Sequence, residues 1–292
     1  MERVSARARE VSGSCEEEIA TFIARGRRDG LAASTLSTRG YVLRSFVTDL
    51  GASRPSQITR AAIDRWFAAR RETSERTAAD YLATAQLWLK WLHGEGRIAL
   101  NPAAMVKRPK VVMRCRRAFL MPDQARALLD ACEDEGLKFA LLCALHAGLR
   151  KNEIIEARPG WFDLDAGLLH VQATETFQPK TRDNRTVPLT KEFRAWLTDV
   201  YGLREPFMLR PEARHRNWRY RFDFKKAYQA LVKRCGLAIT FHDLRRTFAS
   251  LHVSRGTSIY KVAKWLGDTV EVVEETYGHL IPQDAQIDAA WE

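Results

Sequence analysis

The spacing of apolar residues predicts that the first hundred residues are helical. Tyr81, Ala85, Trp88 and Leu92 follow one another at intervals of 4, 3 and 4 residues, which places them on one face of a helix. Four short helices would account for residues 16–100. Residues that favour helix N-termini precede the periodic segments, and glycines stand where the segments end. The predicted N-caps are Ser34 or Thr35, Thr59 and Ser74, and the glycines are Gly30, Gly51 and Gly94.

In the second half of the chain, the pattern changes from helix to strand and back again. Pro122 opens one predicted helix, and residues 137–146 form a second. Residues 161–171 predict two short strands around an Asp-Ala-Gly turn, and residues 186–189 predict a third. Helical periodicity resumes at Thr190. The predicted fold class is therefore mainly α, with a helical N-terminal domain and an α-rich second domain that contains a small three-stranded antiparallel sheet.

A basic segment separates the two predicted domains. Residues 107–117, KRPKVVMRCRR, contain six basic and no acidic residues, and the proline and the lack of an apolar period argue against a helix. We predict domains at 14–106 and 118–292, joined by this segment as an extended linker. Such a linker suits a protein that closes around a duplex, although a solvated tether would have the same composition.

The overall charge is the part of the composition that indicates a partner. The chain has 292 residues, with 47 Lys and Arg against 36 Asp and Glu, and its formal charge is +11. This excess favours a polyanionic partner, because neutralisation of phosphates drives non-specific binding to nucleic acids. A basic protein without such a partner is the alternative at this point.

The sequence predicts neither a membrane protein nor a secreted one. The longest apolar stretch, residues 139–149, is interrupted by His146 and Gly148 and is shorter than the roughly 20 residues that a membrane span needs. The N-terminal sequence MERVSARARE lacks the apolar core of a signal peptide. The five cysteines are scattered without a C-x-x-C pair, which favours reduced thiols and no zinc site. We expect a cytoplasmic protein.

A second basic stretch mixes positive charges with aromatic side chains. Residues 204–234 hold ten Lys or Arg against three acidic residues, and Trp218, Tyr220, Phe222 and Tyr228 lie among them. The mixture suits helices and a loop that lie against phosphates, although such aromatic residues are more often part of a core. The residues of this stretch and of the linker that we expect to contact nucleic acid are Lys107, Arg108, Lys110, Arg114, Arg116, Arg117, Arg214, Arg216 and Arg219.

Two short motifs carry residues that are able to act on a phosphate. His242 and Arg245 are three residues apart and would share a helix face, where a guanidinium binds phosphate and an imidazole moves a proton. Arg150 is followed three residues later by Glu153, which is close enough to hold its side chain beside the site. Taken alone, each motif is more often structural.

Two single residues complete an ordered set. Lys180 lies in the turn-rich segment between the second and third predicted strands, and Tyr277 follows a short acidic helix. In chain order, GLRKNE, the hairpin lysine, HDLRRTFAS and WLGDTVEVVEETYGHL closely resemble the motifs of the tyrosine recombinase (phage integrase) family. Tyr277 stands nine residues after Asp268, as in the family's arrangement of L-G-H, nine residues and tyrosine. The resemblance covers about residues 16–280.

The resemblance implies a role for each matching residue. Arg150 and Arg245 would clamp the non-bridging oxygens of a scissile DNA phosphate and offset the charge of a pentacoordinate transition state. His242 would act as general base for Tyr277, which would attack phosphorus to give a 3′-phosphotyrosine and a free 5′ hydroxyl. Lys180 would protonate the leaving 5′ oxygen. Because the ester keeps the bond energy, no ATP, metal or other cofactor is expected.

One position departs from the family pattern. Asp268 stands where family members usually carry His, or sometimes Trp, as a donor to the phosphate, and an ionised carboxylate cannot donate. We expect Asp268 to N-cap the helix that carries Tyr277, with Thr269 or Lys264 as the donor. The alternative is weaker catalysis, by about 10²- to 10³-fold for one lost donor. His279 is expected to be a neighbour of the site.

The resemblance also implies an activity and an assembly. We expect a site-specific DNA recombinase or integrase of the two-domain type, in which residues 14–106 are a core-binding domain and no arm-binding domain is present. A homotetramer would exchange strands between two double-stranded DNA molecules through a Holliday junction, on the nucleoid and with accessory DNA-bending proteins. The C-terminal tail, with Ile287, Ala290 and Trp291, would dock on a neighbouring protomer or on its own domain.

Two alternatives to a recombinase stay open. A catalytically weak or silent DNA-binding homologue would keep the clamp and act in regulation, and Asp268 is the feature that favours it. A resolvase or a type IB topoisomerase-like enzyme would use the same residues, so the sequence does not separate these enzymes from a recombinase.

Overall fold

The computed structural model describes residues 13–109, 118–175, 177–179, 184–209 and 224–282. Contacts between residues divide the chain into two compact units, Met1–Arg114 and Cys115–Glu292. The boundary between the units falls inside the basic segment 107–117. Among the described residues, no helix has the length and apolar character that crossing a bilayer requires.

Within residues 13–109, the first unit consists of four α-helices, as the apolar spacing predicts. Their bounds are α1 (Cys15–Arg28), α2 (Ala33–Asp49), α3 (Arg60–Thr73) and α4 (Glu75–Gly94), with a 3-10 turn at Pro55–Gln57. The hydroxyls of Thr59 and Ser74 accept hydrogen bonds from the backbone N–H groups of Ala62 (3.2 Å) and Thr77 (3.3 Å). These two predicted N-caps are confirmed, and they begin α3 and α4.

The predicted N-cap at Ser34 or Thr35 is wrong. Helix α2 begins at Ala33, and its N-cap residue is Ala32, which has no side chain able to accept a hydrogen bond. A capping side chain belongs to the residue just before the helix. Ser34 and Thr35 lie inside the first turn instead and cannot fill that role.

The apolar stripe of α4 forms the centre of the first unit's core. Ala85, Trp88 and Leu92 are fully buried, and they pack with buried residues from α1, α2 and α3. Tyr81 is only partly buried, and the guanidinium carbon of Arg70 lies 4.6 Å from the centre of its ring. The predicted stripe therefore does face the core, and its first member lies at the edge.

In its described residues, the second unit has eight α-helices and three strands. The helices are α5 (Pro122–Asp130), α6 (Glu135–Ala147), α7 (Lys151–Ile155), α8 (Lys191–Trp196), α9 (Lys225–Arg234), α10 (Phe241–Ser254), α11 (Ile259–Leu266) and α12 (Val270–Tyr277). The strands are β1 (Phe162–Asp163), β2 (Leu168–Val171) and β3 (Arg185–Pro188). A π-helical turn, Leu197–Tyr201, continues α8, and 3-10 turns lie at Pro159–Trp161 and Gly278–Leu280.

The three strands form one antiparallel sheet, as predicted, and the structure gives their order as β1-β2-β3. Phe162 pairs with Leu169, and Val171 pairs with Arg185. Because side chains alternate across a strand, Arg185 and Val187 of β3 point to the same face, and both are buried. The sheet therefore directs one arginine into the core of the second unit.

Helix α6 is the central helix of the second unit. Most of its residues are fully buried, Cys143 among them, and a helix that is apolar on nearly all sides belongs inside a core. It packs against α10, the helix that carries the HDLRR motif. Helix α6, which precedes Gly148, and helix α10, which carries HDLRR, are therefore packed together in the core of this unit.

Candidate active site

A left-handed turn at Gly148 sets the position of Arg150. Gly148 ends α6 with a φ of +64°, a conformation that favours glycine. A Cβ atom there would lie 2.7 Å from Phe248 Cδ1 and 2.9 Å from Leu266 Cδ2. Both the backbone angle and the close approach of α10 and α11 therefore require glycine. The chain then leaves the turn at Arg150, directly before α7.

Arg150 is held by both the start of α7 and the end of α11. Its Nη1 donates to Glu153 Oε1 (3.1 Å), and its backbone N–H donates to Glu153 Oε2 (2.8 Å). Its Nη2 donates to the carbonyl of Gly267 (3.0 Å) and to Asp268 Oδ1. The side chain is 18% exposed, so the guanidinium is fixed in place and still open to a ligand.

Arg245 reaches the same point from α10. Its Nη1 donates to the carbonyl of Gly148 (2.6 Å), and its Nη2 donates to the carbonyl of Leu266 (2.8 Å) and to Asp268 Oδ2 (2.6 Å). The side chain is only 3% exposed. Burial, and then the charge of Arg150, lower the pKa of Arg245, whereas Asp268 opposes the shift. Two guanidinium groups from different helices thus converge on one carboxylate.

The expectation that Asp268 caps the tyrosine-bearing helix is wrong. Thr269 is the N-cap of α12, and its hydroxyl accepts a hydrogen bond from the backbone N–H of Val272 (3.4 Å). The Asp268 carboxylate is instead bound by Arg150 and Arg245. Burial opposes its ionisation, but the charges of Arg245 and Arg150 outweigh burial and lower the pKa of Asp268. It is therefore an anion at neutral pH.

Arg185 of β3 supports Arg150 indirectly, by binding Glu153, and it was not identified from the sequence. Its Nη1 and Nη2 donate to Glu153 Oε1 (2.9 Å) and Oε2 (2.5 Å), and its Nε donates to the carbonyl of Trp265 (2.8 Å). The side chains of Arg185 and Glu153 are 3% and 2% exposed. The charge and hydrogen bonds of Arg185 outweigh the effect of burial and lower the pKa of Glu153. Arg185 thus fixes the carboxylate that orients Arg150.

One signal in the sequence could have revealed Arg185. It stands directly before the predicted third strand, residues 186–189, and two residues before Val187, and alternate residues of a strand share a face. An arginine on the same strand face as a buried valine requires an acidic partner, since a buried charge is rarely left unpaired. The identity of that partner, from a helix more than thirty residues away in the sequence, needs the folded chain.

We expect Arg185→Met to lower the free energy of unfolding of the second unit by about 3 kcal/mol, because removing one member of a buried ion pair leaves the other charge poorly compensated. Chemical denaturation followed by circular dichroism measures this loss. Arg194→Met, on the exposed side of α8, is the matched control and should change stability by less than about 0.5 kcal/mol. Equal stabilities of the two variants would contradict the bracing role of Arg185.

His242 lies in the first turn of α10, beside the two arginines of that helix. The turn is fixed by Asp243, which accepts hydrogen bonds from the N–H (2.7 Å) and hydroxyl (2.8 Å) of Thr240. Solvent still reaches the His242 ring. Partial desolvation, and then the charges of Arg246 and Arg245, lower its pKa. A neutral imidazole at physiological pH has a nitrogen free to accept a proton.

Tyr277 is the last residue of α12, and its side chain is 9% exposed. It belongs to the core cluster of the second unit, and α12 packs against both α10 and α11. His279 lies in the following 3-10 turn and is exposed. Thr269 and Lys264, which we expected as replacement donors, are also exposed. The nucleophile candidate is therefore buried at the end of a short helix that begins at Val270, directly after its N-cap Thr269 and two residues after Asp268.

Part of the predicted site lies outside the described residues. This applies to Lys180 and to seven of the nine residues expected to contact DNA: Lys110, Arg114, Arg116, Arg117, Arg214, Arg216 and Arg219. Lys107 and Arg108 are described, and both are exposed at the end of the first unit.

The cluster as a whole is suited to binding an anion. Three arginines, Arg150, Arg185 and Arg245, face two carboxylates, those of Glu153 and Asp268, so one positive charge remains. Both oxygens of Glu153 are bound by Arg150 and Arg185, and its side chain is only 2% exposed. The side chain of Asp268, in contrast, is 26% exposed. Guanidinium groups fixed in this way bind the oxygens of a phosphate with defined geometry.

Comparisons with known proteins give a consistent result. A sequence model of the phage integrase family matches residues 118–283. Tyrosine recombinase XerD of Listeria monocytogenes serotype 4b is 25% identical over 271 residues, which cover 86% of this chain and 89% of XerD. A lambda integrase dimer bound to a COC′ core site has a similar fold, with a TM-score of 0.75, 17% identity and coverage of 95% of this chain and 81% of that one. A lambda integrase tetramer bound to a Holliday junction gives a TM-score of 0.73, 18% identity and coverage of 92% and 82%.

Proposed function

The chain belongs to the phage integrase family and is a tyrosine-type site-specific recombinase, and we propose that its scissile phosphate binds between Arg150 and Arg245. The observation that carries this assignment is the convergence of the two guanidinium groups on one carboxylate. Backbone carbonyls also hold the two groups, that of Gly267 for Arg150 and those of Gly148 and Leu266 for Arg245. The pair is therefore preorganised for an anion with two acceptor oxygens.

In the proposed reaction, the two arginines bind the non-bridging oxygens and offset the charge that builds up on them in the transition state. His242 accepts the phenolic proton while the oxygen of Tyr277 forms a bond to phosphorus. The bond from phosphorus to the 5′ oxygen breaks, and Lys180 gives that oxygen a proton. The products are a 3′-phosphotyrosine and a 5′ hydroxyl. Attack by a 5′ hydroxyl of another strand reverses the step and rejoins the DNA.

We also propose that the protein binds double-stranded DNA and acts as a homotetramer. Support comes from the fold, which is shared with lambda integrase bound to DNA as a dimer and, on a Holliday junction, as a tetramer. In this proposal, residues 14–106 are the core-binding domain, 107–117 the linker and 118–292 the catalytic domain. The exposed Lys107 and Arg108 support a linker that contacts phosphates. In the cell, the protein would act on the nucleoid, with DNA-bending proteins as accessory partners.

The test is direct detection of the covalent intermediate. The full chain is incubated with nicked duplexes tiled across the DNA on both sides of its own gene, in EDTA and without ATP. A nick near the cleavage point lets the short product diffuse away, so the adduct accumulates and appears as a shifted band on a denaturing gel. We expect an adduct whose phosphorylated peptide contains Tyr277. The absence of an adduct on every duplex that the protein binds would contradict the proposal.

A further inference from the structure

We propose that the Asp268 carboxylate stands in for the scissile phosphate in the DNA-free protein and is displaced from Arg150 and Arg245 when DNA binds. The inference rests on the proposed phosphate-binding role of the two arginines. It makes Asp268 a positioning residue, which holds the arginines ready and also competes with the substrate.

The geometry of the contact is the first argument. Each oxygen of Asp268 accepts a hydrogen bond from a different arginine, Oδ1 from Arg150 and Oδ2 from Arg245. A phosphodiester presents a similar pair of acceptors through its two non-bridging oxygens, and guanidinium groups bind both kinds of anion in the same forked manner. The carboxylate therefore occupies the position where the proposed mechanism needs the phosphate.

The remaining contacts of the arginines occupy other N–H groups of the two guanidinium groups. Arg245 Nη1 and Nη2 are already bound by the carbonyls of Gly148 and Leu266 on the inner side. Arg150 Nη1 is bound by Glu153. Asp268, which is 26% exposed, accepts from Nη2 of each arginine. Two anions at this point would repel each other, so phosphate binding requires that the carboxylate move away.

Asp268 also helps to hold the two arginines together. Arg150 lowers the pKa of Arg245, as expected for like charges that are close to each other, and Asp268 opposes this effect. In the free protein, a neutral residue at position 268 would leave that repulsion less compensated. An anion from solution should then be bound more readily, because it would restore the missing charge.

The position of Asp268 in the chain allows such an exchange. It lies between Gly267, a left-handed residue that ends α11, and Thr269, the N-cap of α12. Its backbone N–H donates to the carbonyl of Ala263 (3.2 Å), but its side chain caps neither helix. Rotation of the side chain therefore breaks two ion pairs without breaking a helical hydrogen bond. The 26% exposed side chain can turn towards solvent.

The test measures the affinity of the full DNA-free chain for inorganic phosphate by titration calorimetry at constant ionic strength. We expect Asp268→Asn and Asp268→Ser to bind phosphate at least about tenfold more tightly than wild type. The reason is that phosphate no longer competes with the carboxylate for charge-assisted hydrogen bonds from Arg150 and Arg245. Glu275→Gln, on the exposed side of α12, removes the same charge nearby and should change the affinity by less than about twofold. Adding Arg150→Ala to Asp268→Asn should remove the gain.

Each other outcome overturns the inference. If Asp268→Asn and Glu275→Gln bind phosphate equally, the carboxylate does not compete for the site. If the gain survives the added Arg150→Ala change, phosphate binds elsewhere. If both Asp268 variants fail to fold, the carboxylate is a structural ion-pair partner and not an exchangeable one. The covalent adduct of the wild type is scored separately, so these failures would leave the proposed recombinase chemistry intact.

Discussion

Tyr277→Phe is expected to abolish the covalent protein–DNA adduct completely and to leave the affinity for the duplex unchanged. The substitution removes one oxygen atom, the proposed nucleophile, and no other group can form the same ester at that position. Tyr277 as a whole residue is 9% exposed and lies in the core of the second unit. Phenylalanine keeps the apolar contacts of that ring, so folding and DNA binding should be retained.

Two measurements on the same samples test this expectation. A denaturing gel reports the adduct, and a native gel shift or fluorescence anisotropy reports the affinity for the intact duplex. Tyr260→Phe is the matched control, because Tyr260 is a 69% exposed tyrosine of α11 in the same unit. It should form the adduct at the wild-type rate. An adduct formed by Tyr277→Phe would show that a different residue attacks the DNA.

The periodicity of the sequence was sufficient to predict most of the helices and strands, because local sequence patterns determine them. The stripe of α4, the caps at Thr59 and Ser74 and the three-stranded sheet all depend on residues close together in the chain. The wrong prediction for the start of α2 also has a local cause. Ala32 and Ala33 carry no capping signal, so the nearest hydroxyl residues were given a role that belongs to the position before the helix.

The arrangement of the site depends on distant parts of the chain and could be predicted only in part. That Glu153 lies beside Arg150 follows from their spacing on a helix. Asp268 and Thr269 are both good N-cap residues, and the sequence does not show which of them caps α12. Tertiary contacts decide this, since two arginines from other helices bind the carboxylate and leave the cap to the hydroxyl. Arg185 was missed because its partner is distant in sequence.

The effect of Arg150→Ala should be a loss of about 10³-fold in the rate of adduct formation, with most of the duplex affinity retained. Arg150 is one of two guanidinium groups proposed to bind the phosphate oxygens, and removal of such a group costs about 10² to 10³ or more when charge develops in the transition state. Duplex affinity comes from many phosphate contacts spread over the protein, so the loss of one has a small effect. The rate is measured in a single turnover with the protein in excess.

A loss of folding would mimic a loss of chemistry, and the structure separates the two. Without Arg150, Glu153 still has both of its oxygens bound by Arg185. Arg150→Ala should therefore destabilise the second unit less than Arg185→Met and still slow the reaction more. Arg255→Ala removes the same charge from the exposed end of α10 and should react within about twofold of the wild type. Cleavage by Arg150→Ala at the rate of Arg255→Ala would take Arg150 out of the proposed phosphate clamp and leave Arg245 as its only described member.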